Sequence, residues 1–147
     1  MNIQSLAFEN GKEIPAQYTC DGENTNPALI INDVPKEAKS LALIMDDPDA
    51  SRGVTWDHWV MWNISPDTTE IKENSVPVGA VQGENSWPKN EYSGPCPPNN
   101  SHRYFFKLYV LDTVLDLPKT AGSKELIKAM QNHILAESEL MGRYQRK

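Results

Sequence analysis

Proline and glycine set the strictest limit on this chain. Eleven prolines and eight glycines punctuate nearly the whole of its 147 residues. A proline inside a helix removes a hydrogen bond and clashes with the preceding turn, so the punctuated stretches favour short elements. Between the breaks lie apolar runs: SLAF (5–8), ALII (28–31), KSLALIM (39–45), HWVMWNI (58–64), GAVQG (79–83) and RYFFKLYVLD (103–112). Runs of this length bounded by turn residues predict antiparallel sheets rather than βαβ units. One helix is expected, from about Ser123 to Met141. Ser123 would cap it, and Leu126, Ile127, Met130, Ile134 and Met141 would form its apolar stripe. The GRYQR that follows is expected to turn back as a short tail or edge strand. No repeat, low-complexity tract or linker divides the chain. The expectation is a single mainly β domain over 1–147, an antiparallel β-sandwich with one C-terminal α-helix packed on it.

Charge narrows the partners. Fourteen Lys and Arg stand against 20 Asp and Glu, a net −6 with histidines neutral. Nucleic acid and anionic membrane surfaces both want a basic face, so neither is expected as the main partner. No apolar run approaches a membrane-spanning length, so no stable membrane insertion is expected. The opening MNIQSLAFENGKEIP has neither a basic n-region nor an apolar h-region, and a cytoplasmic location is the expectation. Two cysteines, Cys20 and Cys96, are too few for a disulfide scaffold and lack metal-knuckle spacing. Two free loop thiols, dispensable for folding in a reducing cytosol, are expected.

Strand alternation picks out a candidate site. In 102–110 one face reads His102, Tyr104, Phe106, Leu108, Val110; the other reads Arg103, Phe105, Lys107, Tyr109. The first face belongs to the core, which puts His102 and Tyr104 at its rim, pointing inward. The same exercise puts His58, Val60, Trp62 and Ile64 on one face of 58–64. The strand at 39–45 runs into DDPDAS, where Pro48 is expected to break the ladder and Asp46, Asp47 and Asp49 cluster. If these strand ends meet, one rim holds two histidines, a tyrosine and one or two carboxylates. Residues 93–98, SGPCPP, add a stiff loop, expected to wall the site and aim backbone N–H groups at a ligand.

Plainer readings compete at each point. His102 alone reads as a satisfied core histidine; only with His58, Asp47 and the stiff loop does function lead. Trp59, Trp62 and Trp87 read as packing. His133 and Glu137, four apart on the expected helix, have a metal-like spacing but read better as a buried hydrogen-bonded pair. Zinc or iron at the rim would want tighter local ligand spacing, so no metal is expected. Cys96 and Ser101 are nucleophile candidates without an elbow or helix start, so no catalysis is expected. Anion binding uses histidines, a tyrosine hydroxyl and N–H donors, and it fits most residues. It requires Asp47 to be protonated or paired with a histidine, and binding that tightens as pH falls through the histidine range near 6.5.

MDDPDA (45–50), DHWVMWNI (57–64) and SGPCPPNNSHRYFFKLYVLD (93–112), in that order, resemble the phosphatidylethanolamine-binding protein family, which includes the Raf kinase inhibitor protein and plant flowering regulators. YTCDGENTNP (18–27) and HILAESELMGRYQR (133–146) are similar to its compact bacterial and archaeal branch. The resemblance implies a Greek-key β-sandwich whose small pocket accepts phosphate, phosphoethanolamine, an acetate-like anion or a phospholipid head group. The matching positions are Asp47, Asp49, His58, Gly94, Pro95, His102 and Tyr104. It implies a non-enzymatic, regulatory binding protein with no cofactor. The alternatives are a protease or kinase inhibitor that acts on a protein partner through its surface, and an uncharacterised hydrolase. It leaves a homodimer open. It also puts both cysteine loops toward the pocket end, where a bridge is conceivable. Ser51 departs from the second proline usual in eukaryotic members, and the longer C-terminal extension of animal members, which bears on kinase inhibition, is missing.

Overall fold

Among the residues that the computed structural model describes, 1–51 and 53–147, eight strands form two antiparallel sheets. The small sheet has the order β1 (Asn2–Gln4), β2 (Leu29–Asn32), β5 (Glu70–Ile71). The large one runs β6 (Val81–Gln82), β4 (Val54–Ile64), β3 (Ser40–Ser51), β7 (His102–Leu111), β8 (Ile134–Tyr144). β3 lies between its hairpin partner β4 and β7, which arrives from far along the chain, and this gives the Greek-key connectivity. The run SLAF makes no strand; it delivers Phe8 to the core.

The large sheet is buried on both faces. Leu41, Leu43, Met45, Phe106 and Leu108 meet Ile3, Leu29, Ile31 and Ile71 of the small sheet between the layers. Ala42, Ile44, Val60 and Trp62 lie on the other face, against Leu126 and Met130 of the helix α1 (Ser123–Met130). Double burial explains why β3 is apolar without alternation from Leu41 to Met45.

The helix is shorter than its apolar stripe suggests. It ends at Met130, and Asn132 takes a left-handed φ of 68° that closes the turn. Residues 134–144 pair with the full length of β7 instead, which buries Leu140, Gly142 and Tyr144 opposite Phe106, Tyr104 and His102. That long-range pairing overrides the helical spacing of Ile134 and Met141. Ser123 is the first helical residue and not the cap. The cap is Gly122, whose N–H donates to Glu125 Oε1, while the Ser123 hydroxyl reaches Asp57 Oδ2 at 2.5 Å. His133 and Glu137 therefore share no helix. The exposed His133 pairs with Asp112 at 2.8 Å, and Glu137 stands opposite Tyr109.

The far edge of β8 is covered by the N-terminal segment. Gly11 donates to the Met141 carbonyl at 2.7 Å, Ile14 to that of Arg143 at 2.8 Å, and the Arg143 N–H to that of Lys12 at 2.8 Å. Cys20 and Cys96 are bonded to one another, contrary to the expectation of free thiols. Chain topology brings the 18–24 loop and the Pro-rich loop together. Cys20 N–H donates to the Pro95 carbonyl, and Gly94 N–H donates to Asn24 Oδ1.

Candidate functional site

β3 passes through Pro48 rather than ending there, but its ladder with β7 stops at Asp46 opposite Phe105. Beyond that point side chains replace the ladder. Asp49 Oδ2 accepts the Arg103 backbone N–H at 3.0 Å, and its carboxylate takes the guanidinium at two further 2.9 Å contacts. Arg103 holds the Asp49 carboxyl at about 2, below the usual range. Asp49 thus joins strand ends on the exposed side and does not line the pocket. Asp46 faces the helix side, where Lys107 Nζ donates to it at 2.9 Å. Asp47 alone of the three turns inward.

There Asp47 meets His102. His102 Nδ1 lies 2.7 Å from Asp47 Oδ2, and Asp47 Oδ1 accepts the Asp49 N–H at 2.7 Å. Both side chains are buried, Asp47 at 2% exposure and His102 at 8%. A carboxylate that accepts can only be met by a donor, so Nδ1 of His102 carries a proton and the imidazole is fixed in orientation.

His58 arrives by a different device. Met45 pairs with Trp59 but Asp46 pairs with Asp57, so His58 is the extra residue of a β-bulge in β4. The bulge turns it inward beside Tyr104, ring centroids 5.2 Å apart. A second register shift, between Leu41 and Leu43, falls at Asn63, which has φ 56° and bonds the Leu115 backbone in both directions. Hence His58, Val60, Trp62 and Ile64 do not share a face: Val60 and Trp62 meet the helix, while Ile64 lies between the sheets. Strict alternation fails at both bulges.

His58, His102, Tyr104 and Asp47 line one cavity of about 250 Å³. Its remaining walls are mainly apolar, with Trp56 and Trp87 edge to face at 5.6 Å and Pro97 and Pro98 from the stiff loop. Burial, ahead of the Asp47 carboxylate, pushes the Tyr104 hydroxyl far above its ordinary value, so it keeps its proton. That hydroxyl is fully buried and makes no hydrogen bond of good geometry, although Asp47 and the Cys96 backbone lie close enough to act on it. Burial also holds His58 below the usual histidine value, against the opposing pull of the Ser93 carbonyl and Asp47.

Gly94 and Pro95 act one step behind the pocket. They are stitched to residues 20–24, so the N–H of Gly94 is spent inside the protein and not offered to a ligand. What the loop contributes inward is the Ser93 carbonyl, 2.6 Å from His58 Nδ1, and the rings of Pro97 and Pro98. A Cβ on Gly94 would lie 2.2 Å from the Tyr18 carbonyl, which is itself held by the Tyr92 hydroxyl at 2.8 Å. Gly94→Ala is therefore expected to cost about 1–3 kcal/mol in urea unfolding, the usual penalty for overpacking. Trp56 and Trp87 were not legible as site residues; for Trp56 the signal was its position two before His58 on one strand.

Comparison with known proteins places this geometry. The sequence profile described as phosphatidylethanolamine-binding protein matches residues 4–145. A protein of Methanothermobacter thermautotrophicus named UPF0098 protein is 52% identical over 99% of both chains. A crystal structure described as a putative phosphatidylethanolamine-binding protein homolog, CT736 of Chlamydia trachomatis, superposes with a TM-score of 0.95 at 41% identity, covering 99% of this chain and 97% of that one. YbcL of E. coli, described as a new member of the mammalian family, gives a TM-score of 0.92 at 28% identity over 99% and 98% of the two chains. With nearly its whole length matched in sequence and in fold, this chain belongs to the phosphatidylethanolamine-binding protein family.

Proposed function

We propose that the protein is a non-enzymatic receptor for a small oxyanion, phosphate-like or carboxylate, with a regulatory role. One observation carries this reading: a buried tyrosine hydroxyl without a protein hydrogen bond of good geometry and a histidine braced by a buried carboxylate line the same small cavity. A bound anion would satisfy the hydroxyl, and the His102–Asp47 pair would offer it an oriented, charge-assisted donor. Family membership supports a binding role.

Support for the absence of catalysis comes from the candidate nucleophiles. The Cys96 sulfur is committed to a disulfide, Ser101 lies outside the cavity lining, and Tyr104 is held protonated. No described helix is long and apolar enough to cross a membrane. The Cys20–Cys96 bridge favours a location where disulfides persist, which an ordinary reducing cytosol is not.

Calorimetric titration at pH 6 with phosphate and with phosphoethanolamine tests the reading. Saturable binding is expected, weakened at least tenfold by His102→Ala while the circular-dichroism spectrum stays that of the folded sandwich. Equal binding by folded His102→Ala would refute it.

A further inference from the structure

The hydrogen on Nδ1 of each cavity histidine is placed by its neighbour. The Ser93 carbonyl oxygen lies 2.6 Å from His58 Nδ1, and a carbonyl can only accept. Nδ1 therefore carries a hydrogen. His58 is 3% exposed; the Gly94 backbone also acts on its ring, and the rings of Trp87 and Tyr104 pack against it at 5.0 and 5.2 Å. A buried imidazole whose Nδ1 is already protonated stays neutral near pH 7 and keeps a lone pair on Nε2. The charged groups that act on it are Asp47 and Asp57; Trp56, Trp87 and the prolines bring no charge. The cavity thus combines two unlike demands. Tyr104 donates, and His102, braced by Asp47, donates when it is imidazolium. His58 accepts.

We propose that the pocket selects an oxyanion that still carries a proton, hydrogen phosphate or a phosphomonoester in its singly protonated form, and that His58 is the residue that reads this proton. The proposal rests on the anion-receptor reading above and names the ligand class for that site. One ligand oxygen donates its O–H to His58 Nε2, while the others accept from Tyr104 and His102. Sulfate and phosphodiesters have no such O–H at neutral pH. They set an acceptor oxygen against a lone pair, or bind only with uptake of a proton onto a buried imidazole. A site built around one hydrogen bond rejects analogues that lack it, because its own buried group is left unpaired. The diester phosphate of an intact phospholipid falls in the rejected class. Free phosphate qualifies throughout the neutral range, and a monoester qualifies increasingly as pH falls toward its second pKa of about 6.

The test is calorimetry with the intact, oxidised protein and four probes: inorganic phosphate, phosphoethanolamine, sulfate and dimethyl phosphate. At pH 7.5 phosphate is expected to bind at least tenfold more tightly than sulfate or dimethyl phosphate. Between pH 7.5 and 5.5 phosphoethanolamine and sulfate should gain affinity. Repeating the titrations in buffers of different ionisation enthalpy should show sulfate taking up close to one proton more than phosphate, an excess over any proton that His102 gains with either anion. A larger gain for phosphoethanolamine than for free phosphate would identify the monoester as a source. In His58→Gln, whose amide both donates and accepts, the phosphate-to-sulfate ratio should shrink to within threefold. The wild-type proton count stands even if that variant fails to fold. Sulfate or dimethyl phosphate within threefold of phosphate at pH 7.5, without excess proton uptake over phosphate, overturns the proton-reading role and leaves the anion receptor intact. Failure of all four probes to bind overturns the anion receptor and this inference with it.

Discussion

Replacing Cys20 and Cys96 together by serine is expected to lower the free energy of unfolding by about 2–4 kcal/mol. The bridge joins residues 76 apart in sequence, a large loop whose closure restricts the unfolded chain considerably. At this chain length each kcal/mol corresponds to a shift in Tm of roughly 2–4 °C, so Tm should fall by roughly 5–15 °C. Wild-type protein unfolded in excess dithiol should match the double variant, and thiol counting on unreduced, denatured wild type should find no free thiol. A loss below about 1 kcal/mol would show that the bridge adds nothing beyond the packing around it. The consequence extends to the pocket. Cys96 precedes Pro97 and Pro98 in the wall, and the same loop supplies the Ser93 carbonyl that orients His58.

Asp47→Asn is expected to weaken phosphate binding roughly tenfold or more, and to flatten its dependence on pH. The native carboxylate accepts two donors, the Asp49 N–H and His102 Nδ1–H. An amide cannot accept at both ends. Either its NH2 group faces the Asp49 N–H, or it donates to His102 Nδ1 and strips that ring of its charge. In the first arrangement the imidazolium loses its counter-charge, in the second the ring loses its own charge, and either way the charge-assisted bond to the ligand is weakened or lost. The sign of the pH effect follows. In the native protein a bound anion favours the protonated imidazole, so affinity rises as pH falls through the histidine range. His58, held below its ordinary value by burial, stays neutral and accepts from the ligand, so it adds no share to that rise. The variant loses the His102 share. Calorimetry between pH 5.5 and 8 measures both effects. Tighter binding by Asp47→Asn at every pH would mean that Asp47 only repels the anion and does not brace the histidine.

Much of this site could be read from local pattern. The alternation of His102, Tyr104, Phe106, Leu108 and Val110 survives unchanged, because β7 is central, regular and paired on both sides. It put His102 and Tyr104 inward at a strand end, where the structure has them. Charge alone required Asp47 to be protonated or paired with a histidine, since a bare carboxylate would repel an anion, and it lies against His102. His58 was also found, but by a faulty route: it faces inward through a bulge and not through alternation with Val60 and Trp62.

Local chemistry determined the elements that answer to near neighbours: the proline-limited β class, the apolar run of β3, the face of β7, and the start of a helix near Ser123. Tertiary structure decided what depends on distant partners. Residues 134–144 suit a helix by spacing and a strand by alternation, and the choice went to the strand because β7 offered it an edge along which Leu140 and Tyr144 could be buried. Asp47 and Asp49 differ by two positions in one strand. Yet one braces a buried imidazole and the other an exposed guanidinium, because the β3–β7 ladder ends at Asp46 and the β3–β4 register shifts between Asp47 and Ser51. Cys20 and Cys96 became a bond only because the fold set their Cα atoms 5.4 Å apart. Spacing along a chain encodes which face a residue takes within its own element, whereas pairing across 50 residues or more depends on which edges and loops remain to be satisfied once the sheets have formed.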